Sequence, residues 1–234
     1  MLSDAPILRA ESRVESASHA AATVARRDRA VWAIVGIGLV LRLIALGRKS
    51  FWLDEIASLA IVLRPGAAFW SWLAHHEANM ALYYILLKPW VHLWLAFGIR
   101  EDLVRLLSVV SGVAAIPVFY LLGARLFGER TGLTAAAFFA LNTCAVVYSQ
   151  EARGYSLLLL AVVASSYFFV RLLDRPSWLY AISYGLTAGL MLHCHFFGAF
   201  IVLAHGSSLF FLPHGRRPWK HLVLAVFLCA IFAV

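Results

Sequence analysis

Charge is scarce in this chain. Only 14% of the residues are Asp, Glu, Lys or Arg, against 62% hydrophobic, a balance that excludes an ordinary soluble domain. Acidic residues are the scarcer sign, 12 against 20 basic ones, which leaves a formal net charge of +8. A nucleic-acid partner would suit that sign. The basic residues, however, fall in short clusters between apolar runs, as residues that orient membrane spans do. The excess is therefore read as topology, and nucleic acid is excluded as a partner. Cysteine is rare too: Cys144, Cys194 and Cys229 lie in apolar surroundings without metal-type spacing, which argues against a disulfide framework or a zinc site. Residues 1–29 have no aromatics and no apolar core of a leader, so they read as a mobile cytoplasmic tail and not as a cleaved signal peptide. No repeat of fixed period is visible.

What the chain does have is apolar length. Segments at 31–46, 81–97, 103–122, 133–148, 155–173, 178–192, 196–212 and from 221 onward point to an all-α integral membrane protein, a polytopic helical bundle. The last segment stops without a polar tail, so the chain is expected to be the N-terminal part (residues 30–234) of a longer membrane domain. Arg26, Arg27 and Arg29 before the first segment place the N-terminus inside and residues 48–80 outside. That first external loop carries Trp52, Trp70 and Trp72 and is expected to be structured and to lie in the interface plane. If 81–97 does not fully cross, the basic loops at 124–130, 174–177 and 214–220 all fall inside. Lys88, Pro89 and His92 make it the weakest span by composition, and this is the solution adopted.

On that topology one side of the membrane collects the polar residues. Asp54 and Glu55 follow the first span directly, and carboxylates kept at the edge of hydrocarbon are a functional signal. The plainer alternative is that they cap an interfacial helix. His75 and His76 are either site residues or exposed loop histidines. Glu101 and Asp102 suit a helix start, whereas Arg105, just inside an apolar helix, wants an anionic partner. Gln150, Glu151 and Arg153 lie between aromatics and suggest a lined cavity, unless Glu151 merely pairs with Arg153. His193 and His195 join this side, but their i,i+2 spacing does not make two metal ligands on one helix face.

Four of these stretches carry a resemblance. Trp52-Leu53-Asp54-Glu55, then Asn79-Met80-Ala81-Leu82-Tyr83-Tyr84, then Arg105-Leu106-Leu107-Ser108-Val109-Val110-Ser111-Gly112, then Tyr148-Ser149-Gln150-Glu151-Ala152-Arg153-Gly154-Tyr155-Ser156-Leu157, in this order, resemble the GT-C membrane glycosyltransferases. The nearer branch is the bacterial one grouped with protein O-mannosyltransferases and lipid A aminoarabinose transferases. Many of those have Pro-Pro before Leu-Tyr-Tyr, where this chain has Met80-Ala81. The resemblance implies inverting sugar transfer from a polyprenyl-phosphate-linked donor to a lipid, glycan or protein acceptor. It also implies a multi-pass protein of the cell inner membrane with its site on the extracytoplasmic side. A divalent metal is left open, and no nucleotide-binding glycine-rich motif is needed.

The residues fit such a reaction. An acceptor hydroxyl needs a base, and a leaving lipid phosphate needs a cation. Asp54 is expected to be the catalytic carboxylate and Glu55 to support it, since consecutive helical residues point about 100° apart. His76, Asn79, Tyr83, Arg105, Gln150, Glu151, Arg153, Tyr155 and His195 are the expected substrate-binding set, with Arg105 and Arg153 for the donor phosphate. Two other classes compete: a transporter or flippase of a lipid-linked or polar solute, and a non-catalytic assembly subunit, which would tolerate loss of Asp54.

Overall fold

The computed structural model describes residues 25–76, 79–213 and 217–233, and among these it is all-helical. Helix α1 covers residues 25–43. It therefore begins inside the stretch that composition reads as tail; Arg27, bonded to Glu129 at 2.9 Å, anchors that start. The tail at 1–24 lies outside the described residues. Helices α2 (Leu53–Val62), α3 (Gly66–His76) and α4 (Ala81–Trp94) follow, then α5 (Glu101–Phe127), α6 (Glu129–Leu141) and α7 (Thr143–Ser149). The chain continues through α8 (Tyr155–Asp174), α9 (Trp178–Cys194), α10 (Gly198–Ser208) and α11 (Trp219–Ala233).

By length and hydropathy, α5 and α8 can each cross a membrane, and the bent pair α6–α7 makes a third crossing if it is one span. The α5–α6 turn is made by Gly128, whose φ of +91° suits a residue without a Cβ. Beyond it the two helices touch backbone to backbone: a Cβ on Gly132 would lie 2.6 Å from the Ala124 nitrogen. Small residues at such crossings are how apolar helices approach closely when burial from water does not drive them together.

Side-chain contacts sort the loops into two ends. At one, Arg27 meets Glu129, Arg125 meets Asp174, and Trp178 packs on His221. At the other, residues 46–55, the start of α5 and the α7–α8 connection converge on Arg105 and Glu55. Helix α4 stays at this second end. Its Tyr83 bonds Ser108 and its Trp90 bonds the Leu103 carbonyl, so both halves of α4 touch the first turns of α5. Its 14 residues would in any case reach only about 21 Å, short of a hydrocarbon core of about 30 Å. Lys88, an awkward residue for a span, donates to the carbonyls of Val62, the last residue of α2, and of Arg64 just beyond it.

Candidate active site

Helix α2 begins at the tryptophan-carboxylate stretch and presents its two acids to different surroundings. Glu55 is the third residue of the helix, and its carboxylate reaches back to the Trp52 amide at 3.3 Å, as acids at this position do. It is fully buried. Arg105 grips it with two bonds, Nε to Oε1 at 2.8 Å and Nη2 to Oε2 at 2.7 Å, and the Ala152 amide adds a third donor at 2.8 Å. Burial alone would push the Glu55 carboxyl up; the hydrogen bonds from Arg105, Ala152 and Trp52 outweigh it and hold the group below its ordinary range.

Arg105 has nothing left to give. Its remaining N–H groups go to the carbonyls of Leu46, Lys49 and Ser50. Those carbonyls reach it because the chain reverses after α1 through Ala45, held at a φ of +59°, a conformation that costs a non-glycine residue on the order of 1 kcal/mol. The anion this arginine takes is thus Glu55 of the same chain. The phosphate expected at Arg105 thus meets a guanidinium whose five donors are all on protein acceptors.

Asp54 is the open member. Its side chain is 42% exposed, and the nearest cation, Arg153, stands 3.7 Å away. Arg153 also reaches the Asp54 carbonyl at 3.5 Å and lies over the Tyr155 ring, while its buried Nε has no partner. The pairing considered between Arg153 and Glu151 is replaced by this one. Glu151 instead lines a cavity of about 660 Å³ together with Arg48, Lys49, Trp52 and the Glu55–Arg105 pair. Burial, and then the charge of Glu55, raise the Glu151 carboxyl above its ordinary range. Arg48 and Lys49 are exposed and make no ion pair among the described residues.

The other expected residues divide. Gly154 brings three motifs together, since a Cβ there would sit 3.3 Å from Tyr83, 3.5 Å from the Cys194 carbonyl and 3.6 Å from Met80. Asn79 accepts the Phe196 amide at 3.0 Å and ties the start of α4 to the turn bearing His195. His195 is stacked with Phe197, and burial and the Arg153 charge lower its proton affinity. Tyr155 packs against Tyr148. Tyr83, by contrast, is wholly buried with its hydroxyl on Ser108, and the Gln150 amide is spent on the carbonyls of Leu41, Arg42 and Ile44 at the end of α1. Gln150 still lines the cavity beside Glu151. His76 is exposed and stacked on Trp72; Glu77, beside it, lies outside the described residues. Among the described residues no three His, Cys, Asp or Glu side chains come together as a metal site.

Sequence reasoning passes over Arg42, which is fully buried in α1. The signal is present, a lone arginine inside an apolar run, but reading the basic residues as topology hides it.

Comparison with known proteins adds one finding. The family model described as dolichyl-phosphate-mannose-protein mannosyltransferase matches residues 87–234. No curated protein and no solved structure matches the chain. The matched region holds Arg105 and the 148–157 stretch, and Asp54 and Glu55 precede it. It covers well over half of the chain, which therefore belongs to this family of membrane glycosyltransferases of the mannosyltransferase type.

Proposed function

We propose that this protein transfers a sugar from a polyprenyl-phosphate-linked donor to a hydroxyl of a lipid, glycan or protein acceptor, with inversion, at the extracytoplasmic face of the cell inner membrane. The observation that carries the reading is the contrast within α2: Glu55 is sealed, while Asp54 stands open beside a half-satisfied arginine. In the reaction, Asp54 takes the proton of the acceptor hydroxyl as its oxygen attacks the anomeric carbon. The bond from that carbon to the phosphate oxygen breaks on the opposite side, and its electron pair leaves with the lipid phosphate. A guanidinium with unused donors suits that developing charge. Arg153 has such capacity and Arg105 does not. Arg48 and Lys49 add two free cations in the cavity that reaches Glu151, and Ala45, Leu46 and Val147 give that cavity an apolar side for the lipid.

Two measurements test this. Membranes containing the full-length protein should move label from polyprenyl-phosphate mannose to an acceptor, and Asp54→Asn should lower the rate by about two orders of magnitude or more. Transfer at the parental rate would remove Asp54 as the base. Sidedness is read separately in a cysteine-free background: an impermeant thiol reagent added outside should label a cysteine at Ala57 and not one at Thr131, both exposed positions. The reverse pattern would put the site on the cytoplasmic side.

A further inference from the structure

Arg42 and Glu55 are both fully buried, but only Glu55 has an ion partner. Among the described residues no carboxylate meets Arg42. Its Nη1 donates to the carbonyls of Gly38 at 3.0 Å and Ala140 at 3.1 Å, and its Nε to the Ser149 hydroxyl at 3.1 Å. These acceptors are unlike one another in origin. Ala140 is the penultimate residue of α6, and α6 and α7 meet at a break bent by 56°. A break there strips the last carbonyls of α6 of the amides that would continue the helix, and Ala140 is buried where no water can replace them. The Asn142 amide takes the Phe139 carbonyl, and Arg42 takes that of Ala140. The negative end of α6 also favours a cation there.

Ser149 is the last residue of α7. Arg42 therefore ties the end of α6 to the last residue of this seven-residue helix with one guanidinium. The Ser149 hydroxyl is saturated: it donates to the Ala145 carbonyl at 2.7 Å and accepts from Arg42 and from Ser156, each at 3.1 Å. Ser156 is the second residue of α8. Helix α5 closes the space, since a Cβ on Gly112 would lie 2.1 Å from the Ser149 Oγ and 3.2 Å from the Arg42 Nε. The connection 150–154 is thus slung between two hydroxyls that both lead back to Arg42. It carries the Ala152 amide bonded to Glu55 and the Arg153 side chain beside Asp54.

We propose that Arg42 is a positioning residue of the transfer site, which acts through α7 and Ser149 to set where Ala152 meets Glu55 and where Arg153 stands against Asp54. The transfer part of this rests on the function proposed above; the positioning part does not.

The experiment uses the purified full-length protein in lipid nanodiscs, with Arg42→Lys, Ser149→Ala and the double variant. A lysine keeps the charge but has one ammonium and cannot hold Ala140 and Ser149 together. Ser149→Ala deletes a single oxygen, and it carries the test if the lysine variant does not fold. Amide hydrogen exchange at Ala152 should be faster by about ten-fold or more in each single variant and no faster in the double, with protection in α9 unchanged. The kcat for transfer from polyprenyl-phosphate mannose should fall by about ten-fold while KM stays within about two-fold. Unchanged Ala152 exchange in Ser149→Ala would overturn the proposal. So would a rise at Ala152 matched in α9, which is general loosening, or additive effects in the double variant. A wild-type protein without transfer activity would instead sink the functional reading and leave the exchange data to judge the strut.

Discussion

The Glu55–Arg105 and Asp54–Arg153 pairs stem from consecutive residues of one helix, yet the first closes at 2.7 Å with side chains 0% and 4% exposed, and the second stands at 3.7 Å with 42% and 17% exposed. In the buried pair every donor of the arginine is used, and the carboxylate takes four hydrogen bonds. In the open pair the arginine keeps an unused Nε. The two serve different ends. A desolvated, saturated pair joins α2 to α5 and to the α7–α8 connection and leaves its arginine no spare donor. A wet, loose pair adds little to the fold, and for that reason its charges remain available to a substrate.

The largest effect should come from breaking the buried pair. Arg105→Leu strands the Glu55 carboxylate away from water and should cost about 3–5 kcal/mol, read as loss of folded protein in thermal unfolding. Adding Glu55→Leu to it should recover most of that loss, because two apolar side chains leave no buried charge. A double variant as unstable as the single would show that the pair is more than a self-contained strut.

Asp54→Asn should do the reverse. With the transfer rate down by about two orders of magnitude, stability should change by less than about 1 kcal/mol, since the carboxylate is half in water. A destabilisation like that of Arg105→Leu would erase the contrast between the two acids.

Arg153→Lys probes the open pair from its other side. Binding of the polyprenyl-phosphate donor should weaken by about ten-fold, because an ammonium cannot match a phosphate with two parallel bonds. Unfolding should shift by under about 1 kcal/mol. Unchanged donor affinity in the folded variant would end the phosphate role of Arg153.

The smallest effect is in pH. The Glu55 carboxyl is depressed from its ordinary value of 4.5, so its contribution to stability is fully present above that value and is lost as pH falls from there through the folded value. The gap in thermal stability between wild type and Glu55→Gln should hold constant from neutral pH to about 4.5 and shrink only below it. Glu151, raised from 4.5, acts oppositely over the interval just above, so the scans are run with Glu151→Gln in both proteins. A gap that already narrows near pH 6 would contradict a depressed Glu55.

Much of the architecture was legible beforehand. The helical, membrane-type class follows from apolar segments whose hydropathy adds up along the chain. Arg105 announced a need for an anion by standing inside an apolar helix, and Glu55 meets it. Length alone did not decide 81–97, which has the composition of a poor span; its contacts with Ser108 and Leu103 keep it at one end of the bundle. The pairings were not legible at all. Proximity in sequence offers Glu151 to Arg153, two residues away, but the fold gives it Asp54, 99 residues away in the chain. Arg105 finds Glu55 at a separation of 50 residues, and Arg42 finds Ala140 at 98.

The sequence by itself thus determined which segments leave water and which acids sit at their edge, because transfer into hydrocarbon is a sum over local residues. Only the tertiary structure decided which of two adjacent carboxylates is spent and which is free. That outcome depends on α1, α5 and the α7–α8 connection meeting at one helix start, where one guanidinium is buried and bonded through all five donors and the other keeps a donor to spare.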